Sequence, residues 1–386
     1  MQSFLSTSRT LDPFPWYSLM REQAPVMRDE ARGVVSAFSY DEVQRVLSEW
    51  AVFSSERAMR GGGGHPLSES MISTDPPRHR QLRNLVTQAF TPRSVAALAP
   101  RIDGIVRELL DSVVPAGRMD IVDDIAYPLP VIVIAELLGI PPQDRAQFKR
   151  WSDAVVTAAR DSQEAVERLD LHREMAAYFG RVIEERRRQP GNDLVSGLVA
   201  AQVDGQHLTD MELLGFCMLL LVAGNETTTN LISNAILCFD ERPEVYDELR
   251  EHPETIPDAV EEVLRYRSPV QMMMRTAVQD TVLGEQRIRE GDTVLAWIGS
   301  ANRDERQFPD AARFDIHRTP NRHLAFGHGI HFCLGAPLAR LEARIALEAL
   351  VRRTRNMRRV PGVELEPLGS FVVFGVRHLP VTFDPA

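Results

Sequence analysis

Residues 326–337 read FGHGIHFCLGAP, and residues 338–350 continue as LARLEARIALEAL. In the second segment apolar side chains recur at helical spacing, which predicts an amphipathic helix directly after the glycine-rich turn. Pro337 fits the first turn of that helix, where a backbone N–H has no internal acceptor to lose. The pattern therefore places Cys333 at, or just before, the N-terminus of a helix. The apolar positions on the predicted helix face are Leu338, Leu341, Ile345 and Ala349.

The predicted position of Cys333 favours metal ligation. Unpaired N–H groups and the positive end of the helix dipole stabilise a thiolate, which is a good soft ligand. Gly327, Gly329 and Gly335 remove side chains where the backbone turns tightly, so a flat cofactor could approach the backbone closely. For Cys333 taken alone, a glycine-rich turn with a buried structural cysteine remains the alternative.

The whole segment, Phe-Gly-x-Gly-x-His-x-Cys-x-Gly, resembles the haem-binding loop of the cytochrome P-450 family. The resemblance implies a bacterial-type haem-thiolate monooxygenase in which Cys333 is the axial ligand to the iron of haem b (iron protoporphyrin IX). Phe326, Gly327 and Gly335 would contact that haem. The implied fold is mainly α with a minor β region, a triangular helical prism with small sheets. Its haem lies between a long distal helix and the proximal helix after the cysteine loop.

Patterning along the chain agrees with one domain over residues 1–386. Helical spacing dominates from Pro77 to Tyr266, and strand patterns return at Thr281–Trp297 and Gly362–Phe383. We therefore expect a helix-rich core over about residues 75–270 and 335–355, with β-rich parts over about residues 20–60, 270–300 and 360–385.

A capping box, Thr209 to Glu212, predicts the start of a helix that runs through about 30 residues to Phe239. Residues 223–229, AGNETTT, form a polar notch in its apolar centre, which costs stability unless it serves water, ligand or proton transfer. A kinked core helix with hydrogen-bonded threonines is the alternative.

The notch is similar to the family's distal-helix motif, Ala/Gly-Gly-x-Asp/Glu-Thr. By this resemblance Ala223 and Gly224 contact the haem, Thr227 hydrogen-bonds the bound dioxygen or its associated water, and Glu226 relays protons.

Haem propionates need cations with good geometry where they are partly buried. The early segment Asp-Pro-Pro-x-His-x-x-x-Arg resembles the family's early helix and points to His79 and Arg83. The segment SPVQMMMR points to Arg275, and His331 completes the expected set.

Glu262 and Arg265 are three residues apart and therefore neighbours on a helix surface. The pair matches the family's structural Glu-x-x-Arg motif, which an arginine from a later segment supports. By the resemblance, that arginine would be Arg313.

The substrate pocket is expected to include Met272, Met273, Val372 and Val373, together with the glycine loop at residues 60–66. A methionine-rich wall adapts to hydrophobic ligands, although ordinary core packing fits the methionines equally. The expected reaction is C–H hydroxylation or alkene epoxidation. Its expected role is in secondary metabolism or in lipid, terpenoid or steroid oxidation. Fatty acid, terpenoid, steroid and polyketide substrates all stay open.

The net charge of −10 argues against a broad nucleic-acid surface. The apolar run Leu213–Ala223 is about half the length that a membrane span needs, and the first residues do not read as a signal peptide. Cys217 and Cys238 lie in apolar helical surroundings, where a free cysteine acts as a small buried hydrophobe. Unpaired cysteines fit a reducing cytoplasm best.

The pattern leaves no room for a flavin or nicotinamide domain, so electrons would come from a separate ferredoxin or flavodoxin with its NAD(P)H reductase. Arg78, Arg80, Arg93, Arg340 and Arg344 could form a local basic patch for it or a generic solvated face. Two rival functions remain open: a peroxide-driven haem-thiolate peroxygenase, and a non-catalytic haem-binding protein that recruits or senses.

Overall fold

The computed structural model describes residues 11–56, 69–87, 91–144, 147–148, 150–151, 162–203 and 205–386. The described residues form two compact units. The first unit lies within residues 1–54, 99–126 and 227–386, and the second within residues 55–98 and 127–226. The expected organisation as a single domain therefore stays a prediction.

Helices supply most of the described structure. In chain order they are α1 (Phe14–Gln23), α2 (Tyr40–Ser48), α3 (Arg78–Thr87), α4 (Pro92–Ala96), α5 (Ala99–Val113), α6 (Pro128–Leu137), α7 (Ser162–Arg188), α8 (Leu194–Ala200), α9 (Asp210–Glu241), α10 (Pro243–Glu251), α11 (Ile256–Tyr266), α12 (Ile298–Ala301) and α13 (Ala336–Arg353). A short π-helix spans Ile121–Ala126.

The strands are short. They are β1 (Val26–Asp29), β2 (Val34–Ala37), β3 (Phe53–Ser54), β4 (Arg118–Asp120), β5 (Gln202–Val203), β6 (Gln206–His207), β7 (Met273–Ala277), β8 (Thr281–Leu283), β9 (Gln286–Ile288), β10 (Thr293–Ala296), β11 (Thr354–Arg359) and β12 (Pro380–Pro385).

The first unit holds the larger sheet, in the order β1-β2-β10-β7-β3. β10 runs parallel to β2 and antiparallel to β7, with Val294 opposite Arg275. A second sheet has the order β11-β12-β4. In the same unit α13 packs against α5 and α11, so the helix that follows the cysteine loop is fixed from two sides.

Local sequence explains the two helices that matter most for the site. The capping box that starts α9 is formed, since the Glu212 N–H donates to the Thr209 hydroxyl at 3.2 Å and the Thr209 N–H donates to the Glu212 carboxylate at 2.9 Å. The predicted helix is confirmed and extends to Glu241, over 32 residues. At α13, Pro337 lies in the first turn, as its missing N–H requires.

In the first unit two apolar clusters lie against the larger sheet. The smaller one is aromatic and contains Tyr17, Phe38, Met272, Leu295 and Trp297. In the part of the chain that the structure describes, no helix combines the length and the apolar composition needed to cross a membrane.

Candidate active site

The cysteine loop is a tight turn closed by backbone hydrogen bonds. The Cys333 N–H donates to the Phe326 carbonyl at 2.8 Å, and the Gly327 N–H donates to the Leu324 carbonyl at 2.8 Å. Gly327 and Gly329 have φ values of 72° and 70°, the left-handed region that disfavours side chains. A Cβ on Gly329 would also lie 2.9 Å from the Ser48 Cα. Both glycines are therefore needed for this turn.

The loop delivers Cys333 to the start of α13, whose N-cap residue is Gly335. A Cβ on Gly335 would lie 4.0 Å from the Cys333 sulfur, so the glycine leaves that position beside the thiol without a side chain. Cys333 is half-buried. A thiol at a helix N-terminus is stabilised as thiolate by the helix dipole.

The other two cysteines have a different environment. Cys217 and Cys238 are fully buried in α9, and burial raises the pKa of each thiol to about 12. Both therefore stay protonated at neutral pH, and the expectation that they are buried hydrophobes is confirmed. Of the three cysteines, Cys333 alone has a donor chemistry that fits the haem iron implied by the sequence resemblance.

The polar notch of α9 divides into an open face and a buried face. Ala223 is exposed and Glu226 and Thr227 are half-buried, although they lie in the middle of a long apolar helix. Because they stand three and four residues apart, these three side chains share one side of the helix. Toward the buried side, the Thr229 hydroxyl donates to the Ala126 carbonyl at 3.1 Å. The Thr229 hydrogen bond agrees with the alternative of a core helix with hydrogen-bonded threonines. The functional interpretation stays a prediction for Glu226 and Thr227.

Gly224 has a packing role that the sequence did not reveal. A Cβ there would lie 2.9 Å from the Cδ1 atom of Ile134 in α6, closer than real Cβ contacts. The glycine therefore lets α9 and α6 pack together, in addition to any contact with a cofactor.

The four candidate propionate cations occur as two pairs, one pair in each unit. In the second unit His79 and Arg83 lie one turn apart on α3, with His79 only 3% exposed. In the first unit Arg275 lies on β7 and is 7% exposed, and His331 ends the 3₁₀ turn before Cys333. Each cation is held on a regular element or a fixed turn, which suits the binding of a carboxylate.

The Glu262–Arg265 pair is fully buried and bidentate, with both N–O distances at 2.8 Å. The prediction for its third member was wrong. The guanidinium that reaches Glu262 belongs to Arg318, at 3.4 Å, whereas the Arg313 side chain is exposed. Arg313 contributes its backbone carbonyl, which accepts from Arg265 at 2.9 Å. Because the segment between α12 and α13 is irregular, the direction of its side chains does not follow from sequence spacing.

The residues expected to line the pocket differ in exposure. Met272 is 4% exposed and packs in the aromatic cluster around Trp297, which favours the core-packing alternative for this side chain. Val372 is 37% exposed, and Val373 pairs with Val270 in an isolated antiparallel bridge. Met273 is half-buried on β7. The glycine loop at residues 60–66 lies outside the described residues.

Sequence reasoning also overlooked Glu342. This acid occupies a position on the apolar stripe of α13, four residues after Leu338 and three before Ile345, and it is 1% exposed. The signal that would have identified Glu342 is a carboxyl on the core side of an amphipathic helix.

Comparison with known proteins agrees with this geometry. The chain matches the family model described as Cytochrome P450 over residues 23–357. It is 48% identical to the putative cytochrome P450 YjiB of Bacillus subtilis, over 96% of this chain and 93% of that protein. It is 44% identical to the erythromycin C-12 hydroxylase of Saccharopolyspora erythraea, over 95% of this chain and 93% of that one.

A solved structure gives the same result for the fold. CYP109E1 from Bacillus megaterium in complex with testosterone has a TM-score of 0.92 and 44% sequence identity, over 98% of this chain and 99% of that one. The predicted fold class, mainly α with small sheets, is confirmed.

Proposed function

Because this chain belongs to the cytochrome P450 family and is therefore a haem-dependent monooxygenase, we propose that it hydroxylates or epoxidises a hydrophobic small molecule, with dioxygen and two externally supplied electrons. The observation that carries the proposal is the half-buried Cys333 just before the N-terminus of α13, in a tight turn that Gly327 and Gly329 make possible. Haem b is the group whose iron this thiolate would hold.

When bound, the haem supplies iron chemistry that activates dioxygen with two electrons and two protons. Cys333 donates thiolate charge, which the N-terminus of α13 stabilises. Glu226 and Thr227 both lie on the half-buried side of α9: Glu226 relays protons, and Thr227 offers a hydroxyl that hydrogen-bonds during the oxygen chemistry. Phe326, Gly327, Gly335, Ala223 and Gly224 complete the proposed haem contacts.

His79, Arg83, Arg275 and His331 are proposed to bind the haem propionates. A carboxylate gains most from a cation that is preorganised and shielded from water. The low exposure of His79 and Arg275 supports that role.

For the substrate we propose a rigid polycyclic or macrocyclic molecule of the steroid or polyketide class. Two relatives support this class: CYP109E1 was solved in complex with testosterone, and the other relative is the erythromycin C-12 hydroxylase. We propose that the apolar contacts to the substrate come from Met273, Val372 and Val373. Met272 is buried in the cluster around Trp297 and would contribute to core packing. Oxidation of a panel of steroids and macrolides, compared with fatty acids, tests the class.

The proposed electron donor is a ferredoxin or flavodoxin reduced by a separate NAD(P)H reductase. In the first unit Arg340 and Arg344 are already paired, with Glu261 at 2.6 Å and Glu348 at 2.7 Å, so their charge is partly neutralised. Any basic contact they offer to an acidic partner is therefore weakened by these pairs.

The first test is the absorption spectrum of the reduced carbon monoxide complex of the purified protein. We expect the strongly red-shifted Soret band of thiolate ligation in the parent and its loss in Cys333→Ser. Cys217→Ser is the matched control and should keep the band, because Cys217 is buried in α9. A histidine-like band in the parent, or absence of haem from the purified protein, contradicts the proposal.

Thr227→Ala separates the proposed function from its rivals. A dioxygen-dependent monooxygenase should release more peroxide and form less product per NAD(P)H in this variant. A peroxide-driven enzyme should turn over unchanged when peroxide replaces the redox chain, and a haem-binding recruiter or sensor should keep its function.

A further inference from the structure

Glu261 lies directly before the buried acid Glu262 on α11, yet it binds a different set of partners. Glu262 binds Arg265 and Arg318. Glu261 is half-buried and accepts two hydrogen bonds from the guanidinium of Arg340 on α13, at 2.6 and 2.7 Å. A bidentate, charge-assisted pair of this kind fixes the plane of the guanidinium as well as its position. Glu261 therefore orients a cation on the helix that follows the cysteine loop.

The guanidinium that Glu261 holds lies against the aromatic ring that opens the cysteine loop. The Arg340 Cζ atom is 4.5 Å from the centroid of the Phe326 ring, within the range of a cation–π contact. The Phe332 ring packs edge-on against the same ring, with the two centroids 6.3 Å apart. The Phe326 carbonyl in turn accepts the Cys333 N–H at 2.8 Å. A chain of contacts thus runs from Glu261 to the amide of the proposed iron ligand.

A second link from Glu261 enters the same turn through a histidine. The His323 Nδ1 atom accepts from the Ala325 N–H at 3.3 Å, so the Nε2 atom carries the ring proton and donates it to Glu261 at 3.1 Å. Burial raises the pKa of Glu261, but the hydrogen bonds from Arg340 and His323 outweigh burial and lower this pKa to about 2. Glu261 is therefore an ionised acceptor at neutral pH, linked to both a side chain and a backbone N–H of the turn.

Another ion pair of α13 shows what is particular to Glu261. Arg344 binds Glu348 at 2.7 Å, and the Glu348 side chain is 26% exposed, close to the 29% of Glu261. The Arg344–Glu348 pair joins two residues one turn apart, and such a pair stabilises mainly its own helix. The Glu261–Arg340 pair instead joins α11 to α13 and continues to Phe326. Glu348 is therefore a control of matched charge and exposure.

We propose that Glu261 is a positioning residue for the cysteine loop. It fixes the Phe326 ring through Arg340, and it fixes the backbone of the turn through His323. The inference rests on the proposed role of Cys333 as ligand to the haem iron. By limiting the orientations of the Phe326 carbonyl, Glu261 preserves the hydrogen bond from the Cys333 N–H and with it the direction of the sulfur. A loop with more freedom holds an iron less firmly.

The first test uses the holoenzyme of Glu261→Gln, a substitution that keeps the size of the side chain and removes its charge. The reduced carbon monoxide complex should show the thiolate band at first. It should then convert to the histidine-like band about tenfold faster than in the parent, the factor that corresponds to loss of one hydrogen bond to a charged group. Glu348→Gln should convert at the rate of the parent.

Amide hydrogen exchange of the same proteins tests the ordering of the turn without relying on the haem spectrum. In Glu261→Gln the peptide that contains the Cys333 N–H should exchange about tenfold faster than in the parent. Peptides from β10 should keep the protection of the parent. A merely structural role for Glu261 would lower stability throughout the unit and raise exchange in both places.

A variant of Arg340 tests the same contact from its other end. Arg340→Lys keeps the charge but loses the planar fork, so it should raise the conversion rate and the exchange of the turn as Glu261→Gln does. Combining the two substitutions should add little to either one, because both break the same contact.

The inference is overturned if Glu261→Gln and Arg340→Lys both match Glu348→Gln in conversion rate and in exchange. If Glu261→Gln does not accumulate as folded protein, Arg340→Lys alone decides between these outcomes. Failure of the proposed function is distinguishable, because the parent itself would then lack the thiolate carbonyl band. The exchange measurement would still report whether Glu261 orders the turn.

Discussion

Replacing Glu342 with glutamine should stabilise the protein, and increasingly so as the pH rises from about 5 to 8. The folded state holds a proton on Glu342 up to a pH of about 8, whereas the unfolded chain releases it near 4.5. Between these values the folded state binds more protons, so its stability falls with rising pH. Glutamine keeps the shape of the side chain and removes this dependence.

The size of the effect follows from the same two values. The gap from 4.5 to about 8 corresponds to about 5 kcal/mol at about 1.4 kcal/mol per pKa unit. Part of this is offset if water enters near the carboxyl, so we expect a gain of about 2–4 kcal/mol for Glu342→Gln at pH 8. Well below pH 4.5 the gain should vanish, because both states are then protonated.

Urea unfolding of the haem-loaded parent and variant, at pH values from 5 to 9, measures this difference. Glu348→Gln, the same substitution at a partly exposed position of α13, controls for the loss of one acid from the helix. Parallel stability curves for the parent and Glu342→Gln would refute the reasoning, because they would mean that Glu342 is ionised in the folded protein.

Two further predictions concern packing and ion pairing. Arg265→Met should lower the free energy of unfolding by about 3–5 kcal/mol, because it leaves Glu262 buried with its main partner removed. Arg313→Ala is the control and should change thermal unfolding little, since the Arg313 side chain is exposed. Gly224→Ala should cost about 1–3 kcal/mol through the 2.9 Å approach to Ile134. Adding Ile134→Val should recover stability in thermal melts, and equal melting temperatures for Gly224→Ala and the parent would contradict that account.

Local features of this protein were predictable because they depend on residues close together in sequence. The capping box of α9 joins positions three apart, and the helix after Cys333 follows from an apolar stripe and a proline in its first turn. The burial of Cys217 and Cys238 follows from the apolar run around them. Such signals need no knowledge of distant contacts.

Other outcomes depended on contacts between distant segments. Arg318, and not Arg313, reaches Glu262, because the irregular segment before α13 has no period that would set side-chain direction. Met272 joins the aromatic cluster beside Trp297, since the larger sheet brings β7 and β10 together.

The sequence by itself determined the fold class, the helix that presents Cys333, and the polar residues at the centre of α9. Only the tertiary structure decided which of those polar groups are buried, as Thr228 is, and which are half-buried, as Glu226 and Thr227 are. The position of Glu342 on the apolar stripe of α13 is visible in the sequence, yet its pairing with Thr228 joins two helices far apart in the chain. Protonation depends on the surroundings of a group in space, and for Glu342 these exist only after α13 has packed into the folded unit.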